Sequence, residues 1–299
     1  MLLVAMLALT TSLYAQRTEQ LLDKGWRFTR EDSEEFSQVG YNDSKWQSVT
    51  IPHDWAIYGP FSVNNDKQNT AITQDGQQEA MEHAGRTGGL PFVGVGWYRL
   101  KFEAPAFEEG KRATLLFDGA MSHARVYVNG EEVGYWPYGY NAFYFDITDA
   151  LKVGEVNELA VRLENETDSS RWYPGAGLYR NVHLIITNDV HIDMWGVQVT
   201  TPEILSDRAT IRVKTNFVLP PGKELGNCGV SVDILDADGK MVYGTSTLPD
   251  VFATSHFTQE IVLYNYKLWT LENPYLYTAL VRIYDTGDKY DECYVRFGI

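Results

Sequence analysis

The chain has 299 residues, enough at roughly 100–200 residues per domain for two domains with separate apolar cores. Its 25 Lys+Arg against 40 Asp+Glu leave a formal net charge of −15, which repels phosphate and weighs against nucleic acid or an anionic membrane as a partner. With 44% hydrophobic and 22% charged residues the composition is that of a folded protein, and two cysteines, Cys228 and Cys293, are too few for a metal cluster or a disulfide framework.

Residues 1–16 carry no charged side chain, and Leu2–Leu9 is an apolar run of signal-peptide length, too short to span a bilayer. Ala15 then stands as the last residue before cleavage, and export to the periplasm or medium is expected; the competing reading is a buried N-terminal strand or helix. Short helical turns are predicted near Asp32–Phe36 and Asp149–Lys152. From Ser62 to Gly96 the sequence is polar and Gly-rich, with one or two helical turns predicted over Gln77–His83. A loop of that length in a compact domain is functional or disordered.

Strands dominate the rest. Ala124–Val128 alternates in polarity and runs into Asn129-Gly130, a strong hairpin signal. Leu159–Glu164 and Ile211–Phe217 alternate in the same way. Val230–Leu235 and Met241–Tyr243 flank Asp238-Gly239, and Ala279–Tyr284 and Glu292–Phe297 flank Thr286-Gly287. Clean alternation means one buried and one wet face, hence antiparallel sandwiches. The expectation is an all-β chain with a boundary near Asp189: a jelly-roll sandwich over 17–188, then an immunoglobulin-like β-sandwich over 189–299. In that strand order Cys228 and Cys293 flank a common neighbour and stand too far apart to bridge.

Aromatics reach 13%, with 8 Trp and 19 Tyr. Such residues favour sheets, and together with an acidic balance they also suit a carbohydrate partner.

A set of segments, in order, resembles the N-terminal part of glycoside hydrolase family 2, the β-galactosidase, β-glucuronidase and β-mannosidase family. They are Trp26-Arg27-Phe28, Asp43–Trp55 with its Pro52-His53-Asp54-Trp55, Gly96-Trp97-Tyr98-Arg99, Phe117-Asp118-Gly119-Ala120, Val126–Gly130, Phe143–Thr148 and Arg171–Val182. The wording around Trp55 and Arg171–Val182 looks most like the β-galactosidases of exported bacterial systems. The resemblance implies a jelly-roll galactose-binding-like domain, an immunoglobulin-like domain and then a (β/α)8 barrel. Val295–Ile299 looks like the phrase that leads into that barrel. Both catalytic glutamates of the family belong to the barrel, so no catalytic residue is expected here. Asn157-Glu158 superficially matches the family's acid/base signature but sits where a turn enters a strand.

Sugar recognition needs planar hydrogen-bonding groups and an aromatic face. Arg171, Trp172 and Tyr173 offer these on one Pro/Gly-punctuated loop, and Asp54 offers a carboxylate between His53 and Trp55. Asn181 matches a position where other β-galactosidases of the family carry an aspartate that binds Na⁺ and the sugar; the amide removes that charge, and neither a metal nor a cofactor is expected. Against these readings, Trp55 and Trp172 can be core aromatics and Arg180 a structural ion-pair member. The histidines read as structural. Gly85–Gly96 follows no strand and opens no helix, so it is no nucleotide loop. The expected function is scaffold and pocket rim of a β-galactoside hydrolase, with carbohydrate as ligand of the intact enzyme and the oligomeric state open. The alternatives are a stand-alone carbohydrate-binding module, a truncated product without activity of its own, or a parent of β-glucuronidase or β-mannosidase type.

Overall fold

The chain forms nineteen strands, most of them from segments of period-two alternation, among the residues that a computed structural model describes: 17–65, 67–83, 92–166, 173–220, 228–247, 256–285 and 288–299. Contacts divide the chain into Glu19–Ile186 and a second unit of Thr187–Ile299 together with the segment ending at Thr18. Among the described residues no helix is long and apolar enough to cross a membrane.

The first unit contains β1 (Thr18–Leu21), β2 (Trp26–Thr29), β3 (Gln47–Val49), β4 (Gln68–Thr70), β5 (Met81–His83), β6 (Gly94–Glu103), β7 (Lys111–Phe117), β8 (Ala124–Val128), β9 (Glu131–Trp136), β10 (Phe143–Asp146), β11 (Val156–Asn165) and β12 (Val182–Asn188). One sheet has the order β1-β12-β7-β10 and the other β3-β2-β6-β11-β8-β9. Tyr98, Leu100 and Phe102 from β6, Leu159, Val161 and Leu163 from β11, and Val126 and Val128 from β8 meet Leu115 and Phe117 from β7 and Val182 and Leu184 from β12 in one apolar core. This is the two-sheet sandwich expected of a jelly-roll. The Asn129-Gly130 turn has positive φ at both positions, 51° and 86°, as a two-residue hairpin loop between β8 and β9 requires. The Asn129 amide donates to the Ala150 carbonyl at 2.8 Å and its oxygen accepts the Glu158 amide at 3.1 Å, tying the hairpin to β11.

The polar segment after Ser62 is not the structureless loop with a helical Gln77–His83 that its composition suggests. Met81–His83 is a strand paired with Gln68–Thr70, and the helical turn is a 3-10 turn at Thr73–Asp75. The strand uses backbone pairing, to which a short polar sequence gives no periodic signal. Near Asp32 the expected turn forms as the 3-10 helix Glu34–Ser37, whereas residues 148–150 form only a hydrogen-bonded turn.

The other face of the six-stranded sheet is covered in part by the chain between β2 and β3. Its anchor is Arg99, a 2% exposed guanidinium on β6. It donates to Glu158 at 2.5 Å, to Asp43 at 3.2 Å, to the Gln38 carbonyl at 3.2 Å, and to the Phe36 carbonyl. Phe36, Trp97, Tyr41 and Trp46 pack into a small second core beside it. Burial alone would raise the Glu158 carboxyl, but the Gly40 amide, Arg99 and Lys101 together hold it below its ordinary value. Asn157 is fully buried, its side chain bonded to Lys152, Glu155 and Asn129. The pair that superficially matched a catalytic signature is thus committed to holding this turn and strand.

The second unit contains β13 (His191–Ile204), β14 (Arg208–Val218), β15 (Cys228–Leu235), β16 (Met241–Thr247), β17 (His256–Tyr264), β18 (Tyr277–Asp285) and β19 (Asp288–Phe297). Its sheets run β13-β14-β17 and β16-β15-β18-β19 over a common core of Ile211, Val213, Ile261, Val232, Ala279 and Val281, the immunoglobulin-like sandwich the patterning predicts. Cys228 and Cys293 lie on β15 and β19, which flank β18, and Cys293 is a free thiol. Arg17 closes this unit. Its guanidinium reaches the fully buried Asp291 carboxylate at 2.8 and 3.2 Å and the Ile192 carbonyl at 2.5 Å.

Replacing Arg99 with Met should lower stability by about 3 kcal/mol, because it strands two partly buried carboxylates and two carbonyls rather than one partner. Denaturant unfolding of the chain followed by tryptophan fluorescence measures it. A loss below about 1 kcal/mol would show that the 32–46 segment is held by its aromatics alone.

Candidate functional site

The segments that resemble the family's sugar-proximal motifs converge at one end of the first unit. Pro52–Tyr58 is the first. Asp54 caps the 3-10 helix Trp55–Tyr58, its Oδ1 accepting the Ala56 amide at 3.0 Å. The same oxygen accepts the Ala176 amide at 3.1 Å, and Oδ2 accepts the Tyr173 hydroxyl at 2.5 Å. Burial raises the Asp54 carboxyl above its ordinary value against the opposing pull of Tyr173 and of the amides of Ala56, Ala176 and Ile57. Asp54 and Tyr173, which the sequence offers in two separate clusters, are brought together as two halves of a brace: the carboxylate ties the 173–177 loop to the helical turn.

His53 lies behind the brace. Its amide donates to the Leu178 carbonyl at 2.8 Å, and its Nδ1 is 2.7 Å from the Tyr98 hydroxyl. That hydroxyl makes a longer bond, 3.4 Å, to the His53 carbonyl. Burial, seconded by the charge of Arg30, pushes the imidazole down to about 4, and burial also pushes the Tyr98 phenol up. Trp55 is a core aromatic here, stacked on Phe28 at 5.5 Å, its buried Nε1 without a hydrogen-bond partner among the described residues.

Two glycines make the close approach feasible. Gly177 has φ 96°, and a Cβ there would press into the Tyr98 hydroxyl and the His53 carbonyl; a Cβ at Gly96 would press into the Trp55 ring. Gly177 also exchanges both backbone hydrogen bonds with Met121, at 2.9 and 3.0 Å. The Tyr179 hydroxyl donates to the Gly139 carbonyl at 2.6 Å and Arg180 lies over its ring at 5.6 Å, so these two residues hold the loop's base. Asn181 enters β12 with its carbonyl accepting the Asp118 amide at 3.0 Å. Arg171 and Trp172 lie outside the described residues. Tyr179 and Arg180 take the place at the loop's base that the Arg171–Val182 segment suggests, whereas the partnership of Tyr98 with His53 is not announced by the Gly96-Trp97-Tyr98-Arg99 segment that contains it.

Among the described residues no group of three or more His, Cys, Asp or Glu side chains could hold a metal ion. His183 lies between two carboxylates, with Nδ1 2.7 Å from Glu19 and Nε2 3.2 Å from Asp118. His123 sits 2.7 Å from the Tyr135 hydroxyl. A neutral amide at Asn181 adds no charge to attract a cation.

The chain is thus two β-sandwiches in series, a jelly-roll with a braced loop cluster followed by an immunoglobulin-like sandwich. The family model of the glycosyl hydrolases family 2 sugar binding domain matches residues 20–188, and that of glycosyl hydrolases family 2 matches residues 190–299. The chain belongs to glycosyl hydrolases family 2. A β-galactosidase of Bacteroides ovatus is 34% identical over 96% of this chain and 32% of its own length. A putative β-glucuronidase of Formosa agariphila is 30% identical over 99% of the chain and 26% of its own length. Of solved structures, a family 2 glycosyl hydrolase from Bacteroides cellulosilyticus superposes with a TM-score of 0.81 at 33% identity, covering 94% of this chain and 35% of that one. The chain thus spans about a third of the relatives it matches.

The His53 shift sets an acid sensitivity. Its folded value, about 4, lies below the ordinary 6.5, so between these values the unfolded chain binds the extra proton. Its contribution is fully present above about pH 6.5 and is lost as pH falls toward 4, amounting to about 3 kcal/mol. Unfolding at pH 7 and pH 4.5 should show a steeper loss in the wild-type chain than in His53→Gln; equal slopes would refute it.

Proposed function

We propose that this chain is the N-terminal portion of an exported family 2 glycoside hydrolase of β-galactosidase type, serving as scaffold and as one wall of its substrate pocket. The observation that carries the reading is the pair of family models in series over 20–188 and 190–299, on a chain about a third as long as its relatives. A retaining glycosidase needs two carboxyl groups about 5–5.5 Å apart, one as acid/base and one as nucleophile. By the resemblance those belong to the barrel in the remaining length. Arg171, Trp172, Tyr173 and Asn181 are the residues proposed to meet the sugar, a planar guanidinium and an aromatic face on a bend fixed by Pro174, Gly175 and Gly177. Asp54 shapes that wall from behind, since its oxygens already accept protein donors.

The β-galactosidase assignment is supported by the Bacteroides ovatus relative; a β-glucuronidase-type parent is the second reading, supported by the Formosa agariphila one. Export is supported by the apolar, uncharged first sixteen residues.

Assaying the full-length enzyme on nitrophenyl β-galactoside and β-glucuronide separates the two parents. The galactoside is expected to turn over at least about tenfold faster, a margin of about 1.4 kcal/mol; the reverse order overturns the galactosidase reading. The 299-residue chain alone should show no turnover of either. In the full-length enzyme Arg171→Ala should lower kcat/KM by about 1–3 kcal/mol with little change in Tm. Early melting with normal kinetics would make the loop plain scaffolding.

A further inference from the structure

The outer face of the six-stranded sheet carries a concavity of about 770 Å³ that shares no residue with the loop-end cluster. Its position follows from register. Trp97, Arg162 and Arg125 are direct neighbours across β6, β11 and β8, and Arg99, Ala160, Tyr127 and Glu132 form the next row across β6, β11, β8 and β9. The segment held by Arg99 covers one end of these rows and stops short of the other, so a groove opens over β11, β8 and β9, walled on one side by Asp32, Ser33, Glu34 and Ser37.

The floor is aromatic. The half-buried Tyr127 ring stacks on Trp97 at 5.8 Å and 24°, with the buried Ala160 beside it. The rim is polar and fixed. Asp32 accepts from the Trp97 indole at 2.8 Å and from Arg162 at 2.8 and 3.0 Å; Arg162 also reaches Glu164 at 3.0 Å. Arg125 meets Glu132 at 3.0 Å. Every guanidinium in the groove already faces a carboxylate, and Asp32, Glu34 and Glu132 outnumber Arg125 and Arg162. The groove therefore carries no excess positive charge for an acidic ligand. It offers paired donors and acceptors, pre-oriented by each other, around an aromatic face.

We propose that this groove is a second carbohydrate subsite, for a short neutral oligosaccharide. The volume lies within the roughly 300–1,000 Å³ of small-molecule sites. A ring hydroxyl both donates and accepts, so one sugar edge can accept from Arg125 or Arg162 and donate to Glu132 or Asp32 without displacing a net charge. The apolar C–H face of the ring then rests on Tyr127. Bound there, a polysaccharide chain is held by the enzyme at a place other than the loop end where the cleaved sugar is proposed to sit. The inference rests on the reading of the chain as part of a sugar hydrolase.

The test is titration of lactose, cellobiose and a glucuronic-acid-containing disaccharide into the isotope-labelled 299-residue chain, with backbone amide shifts as readout. A neutral disaccharide should move the amides of Arg125–Glu132 and Ala160–Arg162, and the acidic one should bind no more tightly. Tyr127→Ala and Glu132→Gln should each weaken binding by about tenfold or more. Glu132 is exposed, so its variant keeps the test valid if loss of Tyr127 disturbs Trp97. The subsite is refuted by absence of shifts with both neutral sugars, by shifts confined to the 173–181 loop, by tighter binding of the acidic sugar, or by indifference to both variants. Galactoside turnover by the full-length enzyme, measured in parallel, survives any of these failures and falls only with the functional reading itself.

Discussion

One buried guanidinium organises the first sandwich. A charge at the Arg99 position, on the side of a sheet away from the main core, would be costly to bury without partners. Its two carboxylates and two carbonyls come from three separate stretches of chain, near Phe36, Asp43 and Glu158. Satisfying it forces the β2–β3 connection down onto the sheet, places Phe36 and Trp46 beside Trp97, and seats Asp32 where it can receive both the Trp97 indole and Arg162. The covered part of the outer face, and the edge at which cover gives way to the groove, both trace back to that satisfaction.

The loop end works on a different principle. Its polar groups are few, and several are answered by specific backbone atoms: Asp54 by two amides, the His53 amide by the Leu178 carbonyl, Tyr179 by the Gly139 carbonyl. Glycines at 96 and 177 let aromatic rings and backbone meet without intervening side chains. Such a construction keeps a bend rigid with little apolar area, which is what a pocket wall requires if binding is not to cost much ordering entropy.

How much of this the sequence reveals depends on range. Period-two alternation showed the strands, and Asn129-Gly130 announced its hairpin, because those signals are local. The order of β15, β18 and β19 was legible enough to separate the two cysteines. The ribbon of Gln68–Thr70 with Met81–His83 was not, since polar edge pairing leaves no hydrophobic period to read. At the loop end the motifs pointed to Asp54 and Tyr173 but not to their bond, and Tyr98 was hidden as the middle of a strand. The outer groove was invisible for a stricter reason. Trp97, Tyr127, Arg125 and Arg162 come from three strands, and only register decides that they share a row rather than opposite faces.

The Arg17–Asp291 contact has a consequence for folding. Its two residues are 274 positions apart, and the strands of Glu19–Ile186 find their partners within that span. The first sandwich can therefore complete its own core without the second. The second depends on a residue that precedes the whole of the first sandwich in the chain. Closure over so long a span is the slowest kind of contact to form, and it falls outside the part of the chain proposed to carry the sugar.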